Sequence, residues 1–272
     1  RYSFPGVKVH SKLALVRKKT DNGLKMYAYL STGNFHERTA KVYSDFGLFT
    51  ADKRIVSEVS RLFTYLETLQ APEFEHLLVG QFNLRRSLIA LIDQEIENAK
   101  MGKKGHIFLK VNSLQDKYMI AKLYEASQAG VEIQLIVRGI CSLIPQLEGW
   151  SENIQAFSIV DRFLEHARVF IFHNDGDEKI YLSSADWMVR NLTYRIETTF
   201  PIYYANIKQQ IKDYMELQLS DNMKARIIDG EQSNKYKREG SDILNRSQIE
   251  AYYHIKRKME ALANDANKVE IQ

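Results

Sequence analysis

Two histidines, His10 and His166, stand in the same short frame: an apolar run, the histidine, one residue, a base, and more apolar residues. The first frame reads Val7-Lys8-Val9-His10-Ser11-Lys12-Leu13-Ala14-Leu15-Val16, the second Phe163-Leu164-Glu165-His166-Ala167-Arg168-Val169-Phe170-Ile171. After each comes an alternating run that ends in small hydroxylated residues, Tyr27 to Asn34 and Ile180 to Asp186. Aligning the histidines gives an offset of 156 residues and aligning Thr32 with Ser184 gives 152, a difference set by hairpin length. A chain that carries one strand-turn-strand unit twice is constrained to fold as similar halves. The frames therefore predict an internal duplication, with two copies of one active-site half meeting about a pseudo-twofold axis.

The chain between and around the frames reads as α/β. Residues 7–16 and 26–31 are predicted strands joined at Thr20-Asp21-Asn22-Gly23, a hairpin turn signal. Residues 34–43 read as a polar loop or short helix, and 55–69 carry apolar residues at the helical period. Helix at 84–99, strand at 106–111, helix at 114–128 and strand at 131–137 follow in an order that argues for parallel pairing, and a hairpin at 167–183 joins the same sheet. Residues 206–219 read as a helix. Ser247-Gln248-Ile249-Glu250 is a capping-box signal for a last helix, whose stripe of Ile249, Tyr252, Tyr253, Met259 and Leu262 is expected to be core or packing surface.

A histidine and a cation two residues on share one face of a strand, because side chains alternate. His10 with Lys12 and His166 with Arg168 would thus point into one space. Transfer of a phosphoryl group, with its spread of negative charge, needs that grouping of cations and donors. Thr32, Asn34, Ser183 and Ser184 can supply donors. One neutral imidazole can attack phosphorus while the other, protonated, serves the leaving oxygen, and histidine suits both tasks because it titrates near neutrality.

Composition narrows the alternatives. With 272 residues the chain has room for one large or two medium domains, and no apolar stretch approaches the roughly 20 residues of a membrane span. The one cysteine, Cys141, excludes an internal disulfide framework and fits a reducing compartment. Neither His-x-x-x-His nor Cys-x-x-Cys occurs, so no metal ligands are assigned. Residues 1–50 hold nine Lys or Arg against three Asp or Glu, a local basic surface that attracts polyanions. The chain opens Arg1-Tyr2-Ser3, without Met or a signal-like segment, and reads as a piece of a longer polypeptide.

The motifs Val7 to Leu15, Ser31-Thr-Gly-Asn-Phe35, Thr39 to Asp45, Gly47 to Asp52, Leu135 to Ile140, Leu164-Glu-His166, Ser183 to Met188 and Arg195-Ile-Glu197 resemble the carboxy-terminal catalytic half of bacterial polyphosphate kinase. The resemblance runs in register from residue 1 to about 230. It implies two phospholipase D-like α/β units related by a pseudo-twofold, the first truncated at its amino end, plus a helical C-terminal tail, at residues 1–76, 77–230 and 231–272. It further implies His10 as the phosphorylated nucleophile, His166 as general acid, Tyr43 beside the adenine and Arg138 on the nucleotide phosphates. Lys12, Arg168, Asn34, Ser184, Arg195 and Glu197 fall near the phosphate path.

Arg17 stands where phospholipase D has an aspartate, Arg168 replaces the second lysine, and Ser31 stands where the family usually has glycine. The first two argue against the competing reading, a phosphodiesterase or nuclease. A non-catalytic polyanion-binding domain is the third reading, and matched histidines disfavour it. ATP or ADP and inorganic polyphosphate are the expected partners, with no nucleic acid. Magnesium is expected to be held mainly by upstream residues, and the full-length enzyme is expected to be a cytoplasmic homo-oligomer, peripheral attachment to the inner membrane being left open. The fragment alone is expected to have little kinase activity.

Overall fold

The computed structural model describes residues 6–21, 23–238 and 243–269. The opening Arg1-Tyr2-Ser3 and the Asn22 of the first turn lie outside them. The chain runs β1 (Lys12–Thr20), β2 (Gly23–Ser31), α1 (Glu37–Ala40), β3 (Tyr43–Ser44), β4 (Gly47–Thr50), α2 (Lys53–Thr68) and β5 (Leu78–Val79). It continues through α3 (Leu84–Lys100), β6 (His106–Val111), α4 (Lys117–Gln128), β7 (Glu132–Val137), β8 (Ile154–Ile159), β9 (Leu164–Glu165), β10 (Arg168–Phe172), β11 (Lys179–Ser183) and β12 (Thr198–Pro201). Last come α5 (Ala205–Leu219), β13 (Ala225–Ile227) and α6 (Ser247–Val269).

An eight-stranded sheet, in the order β13-β8-β7-β6-β10-β11-β12-β5, carries most of the chain. β6, β7 and β8 pair in parallel as the helix-strand alternation requires, and the other pairings are antiparallel. Both faces are covered, which is why these strands read as almost continuous apolar runs. Ile107, Leu109 and Val111 of β6 join Leu88, Ile92, Met119 and Leu123 of α3 and α4 in one core. The intervening Phe108 joins Val59 and Leu62 of α2 and Ile211 and Met215 of α5 in the other. Among the described residues no helix is long and apolar enough to cross a membrane.

The predicted duplication is visible in the pairing. A three-stranded sheet β1-β2-β4 repeats the β10-β11-β12 part of the large sheet. Lys12 pairs with Ser31 as Arg168 pairs with Ser183, and Ser31 with Gly47 as Ser183 with Thr199. The halves then exchange partners. β3 of the first half pairs with β9 of the second, and Val9 forms a parallel bridge with Ile196.

That exchange corrects one expectation. His10 does not lie in a hairpin strand, since β1 begins at Lys12. It lies on the extended stretch before it, where the amides of His10 and Ser11 both donate to the Ile196 carbonyl at 2.8 and 3.1 Å. His166 sits likewise between β9 and β10, with the amides of His166 and Ala167 on the Ser44 carbonyl at 3.1 and 3.0 Å.

Two other expectations shift. α4 begins at Lys117, three residues late, because Asp116 caps it by accepting from the amides of Tyr118 and Met119. The capping box at Ser247 does not form: its hydroxyl and amide both donate to Asp221, which is fully buried. The Ile249, Tyr252, Tyr253, Met259 and Leu262 stripe faces outward, and α6 packs instead through buried Ala251 and through His254 and Lys258 beside Asp213.

Candidate active site

The first half-site is built on a buried carboxylate from the other half. Glu197, fully buried, accepts from Asn191 Nδ2 at Oε1 (2.6 Å) and from Ser184 Oγ at Oε2 (2.5 Å). His10 Nδ1 lies 2.9 Å from the same Oε2. A carboxylate only accepts, so Nδ1 donates, and in the neutral ring Nε2 keeps its lone pair.

The second half-site repeats this arrangement with the halves reversed. His166 Nδ1 lies 2.8 Å from Asp45 Oδ1, and Thr32 Oγ1 donates to the same oxygen at 2.8 Å. Asp45 and Glu197 are 152 residues apart, the spacing of Thr32 and Ser184. Each histidine is therefore oriented by the carboxylate that the opposite half supplies. The closing turns match too: the Gly33 amide donates to Ser31 Oγ and the Ala185 amide to Ser183 Oγ, both at 2.9 Å. Ser31 thus performs the task of its counterpart Ser183. A Cβ on Gly33 would stand 2.4 Å from Asp45 Oδ2, so a larger residue there would displace the carboxylate that holds His166.

The two cations differ in what they touch. Lys12, 6% exposed, donates from Nζ to the His10 carbonyl at 2.6 Å. Burial pushes its pKa down to about 8, with Glu197 opposing the shift and Arg168 adding to it. Arg168, 3% exposed, gives Nε and Nη2 to Asp186 at 3.2 and 3.0 Å and Nη1 to the carbonyls of His166 and Thr32 at 2.9 and 3.3 Å. The Arg168 fork is thus held by protein groups, whereas the Lys12 ammonium touches one carbonyl. Nη1 also lies 3.3 and 3.0 Å from the two ring nitrogens of His166, which places it over the ring face rather than along a lone pair.

Burial, aided by Arg168 and Lys12, holds His166 below its ordinary pKa, with Asp45 pulling the other way. The two half-sites also touch directly, since Arg168 Nη1 donates to the Thr32 carbonyl of the first half at 3.3 Å. Tyr43 packs against His166, ring centroids 4.8 Å apart, and Arg138 joins the group by donating from Nε to Asn112 Oδ1 at 3.1 Å. Asn34 and Arg195 are half-buried at the rim, and neither side chain hydrogen-bonds within the described residues. Ser184, Glu197, Tyr43, Arg138 and both cations are thus brought together with the histidines.

Sequence reasoning missed Asp45, Asn191 and Asp186. The 152-residue offset applied to Glu197 would have found Asp45.

Comparison with known proteins decides the family. The family model for polyphosphate kinase C-terminal domain 1 matches residues 1–72, and that for C-terminal domain 2 matches residues 77–248. The chain belongs to the polyphosphate kinase family. It is 51% identical over 256 residues to the polyphosphate kinase of Vibrio vulnificus strain YJ016 and 49% identical to that of Escherichia coli K12, covering 94% of this chain in each case. The polyphosphate kinase crystal structure from Porphyromonas gingivalis matches with a TM-score of 0.90 and 46% identity, over 95% of this chain and 40% of that one. The chain spans 37% of the length of the two curated relatives.

The lysine makes a prediction for the full-length enzyme. Lys12 is cationic below its pKa and neutral above it, so kcat/KM, which reports the free enzyme, is expected to fall as pH rises through about 8. In Lys12→Arg that alkaline limb should move upward. A limb that stays in place would assign the titration to another group.

Proposed function

We propose that this chain forms the phosphoryl-transfer site of a polyphosphate kinase, moving the γ-phosphate of ATP reversibly onto polyphosphate through phospho-His10. The observation that carries the reading is the His10 to Glu197 contact, which leaves Nε2 as the nucleophilic nitrogen. That nitrogen attacks the γ-phosphorus in line. An N–P bond forms as the bond to the bridging oxygen breaks, and its electron pair leaves with ADP. Glu197 offsets the charge that grows on the imidazole. In the second step a terminal polyphosphate oxygen attacks the same phosphorus, and the N–P electrons return to Nε2.

His166 hands a proton to the departing ADP oxygen. Its lowered pKa favours the neutral ring in the free site. Bound phosphates add negative charge and favour the protonated form, so substrate itself arms the acid. Tyr43 offers a face for the adenine, while Arg138 and Arg195 supply cations along the phosphates.

Magnesium would neutralise phosphate charge when bound. Among the described residues no three His, Cys, Asp or Glu side chains group to hold a metal, and Glu197 and Asp45 are engaged by the histidines. No residue here is assigned to the ion, and no step here depends on it.

The test is transfer of label from γ-labelled ATP to the full-length enzyme. Acid-labile, base-stable label is expected in the wild type and absent in His10→Ala, while His166→Ala should acquire label slowly. Label retained by His10→Ala would remove the assignment.

A further inference from the structure

The 152-residue relation that pairs Ser31 with Ser183, Thr32 with Ser184 and Asp45 with Glu197 also pairs Asn34 with Asp186. The backbone supports this last equivalence, because the same hydroxyl-closed turn sets both positions, at the Gly33 and Ala185 amides. The side chains nevertheless differ in charge. Asp186, 7% exposed, binds the Arg168 fork through both oxygens and accepts from the Asn112 and Ser113 amides at 2.8 and 3.2 Å. Asn34 is neutral, and Lys12 has no carboxylate at ion-pair distance among the described residues.

The two half-sites are therefore alike in hydrogen bonding and unlike in charge. In the second, the cation is matched by a buried carboxylate. In the first, Lys12 touches no carboxylate among the described residues and feels buried Glu197 only from beyond ion-pair distance. A dianionic phosphoryl group is drawn to the half whose cation no carboxylate contacts, since charge in a poorly solvated site acts at higher strength than in water.

We propose that the Asn34 and Asp186 difference decides which histidine accepts the phosphoryl group: neutrality at position 34 leaves the Lys12 charge for the phosphate beside His10, and Asp186 withdraws the Arg168 charge from the half that holds His166. The inference rests on the phosphohistidine reading above and adds a specificity-determining residue to it. Asn34 is half-buried and free of hydrogen bonds within the described residues, so replacing it leaves the fold in place.

The experiment labels full-length enzyme with γ-labelled ATP and maps the phosphorylated residue in the wild type, Asn34→Ser, Asn34→Asp and the double exchange Asn34→Asp with Asp186→Asn. Asn34→Ser removes an amide without adding charge and controls for lost hydrogen bonding. Labelling of His10 in Asn34→Asp is expected to be about a hundredfold slower than in the wild type, the scale of losing one preorganised electrostatic contact, and clearly slower than in Asn34→Ser. In the double exchange, part of the remaining label should appear on His166, an outcome that general loss of structure does not produce.

Equal labelling of Asn34→Ser and Asn34→Asp, with the phosphate still on His10, would overturn the inference and leave the phosphohistidine reading standing. A wild type that carries no phosphohistidine would instead overturn that reading.

Discussion

Glu197→Gln is expected to slow phosphoryl transfer in the full-length enzyme by about 10²- to 10⁴-fold, the range seen when a catalytic imidazole is held in the wrong tautomer or loses its proton-transfer role. The reason lies in which oxygen does what. Asn191 Nδ2 donates to Oε1, so the glutamine carbonyl must turn toward Asn191. Its amide nitrogen then occupies the place of Oε2 and donates to His10 Nδ1. Forced to accept there, the ring carries its proton on Nε2 and has no lone pair for phosphorus. Glutamine fills the same volume, and Ser184 Oγ can rotate to suit, so stability should change little. A variant that transfers at nearly the wild-type rate would show that Glu197 does not set the tautomer.

The largest effect on stability is expected one residue before His166. Glu165, 1% exposed, accepts from Lys110 Nζ at 2.5 Å, Gln218 Nε2 at 2.7 Å and Gln248 Nε2 at 2.7 Å. One carboxylate thus ties β6, α5 and α6 to β9, the strand that ends just before His166. Gln248 adds a second hold on that strand by bonding both the amide and the carbonyl of Phe163, at 3.0 and 2.8 Å.

Glu165→Ala would leave the Lys110 ammonium buried without a partner, a loss of about 3–5 kcal/mol in unfolding free energy. Lys110→Met combined with Glu165→Gln should recover most of it, because the buried charge goes and the glutamines keep a carbonyl. Denaturant unfolding of the three proteins measures both effects. If Glu165→Ala costs no more than a surface substitution, the cluster does not anchor the strand.

How much of this was legible in the sequence depends on whether a feature is local. β6 is where the apolar run places it, and α2, α3 and α5 follow their apolar periods to within a few residues, because burial on both sheet faces leaves a local signature. The paired frames are legible too, since a histidine and a base two residues apart are read from one short stretch, although each histidine lies just before its strand rather than in it. What the frames could not show is the exchange between halves. His10 is held by Ile196 and Glu197, each more than 180 residues away, and nothing near His10 announces them.

Asp45 was hidden for a related reason: a lone acidic residue after a short loop has no pattern, and only the internal repeat singles it out. The capping box failed because Asp221, 26 residues distant, takes the Ser247 hydroxyl. The Arg168 ion pair was hidden because its carboxylate, Asp186, lies 18 residues on, in the turn that ends the hairpin.

The central claim is that Glu197 holds Nδ1 of His10 so that Nε2 takes the phosphoryl group. The most direct measurement traps the phosphorylated full-length enzyme at alkaline pH after mixing with ATP, then identifies the modified residue by mass spectrometry and the bonded nitrogen by ¹⁵N and ³¹P NMR. Phosphate on Nε2 of His10 is the predicted result; phosphate on Nδ1 of His10, or on His166, would contradict it.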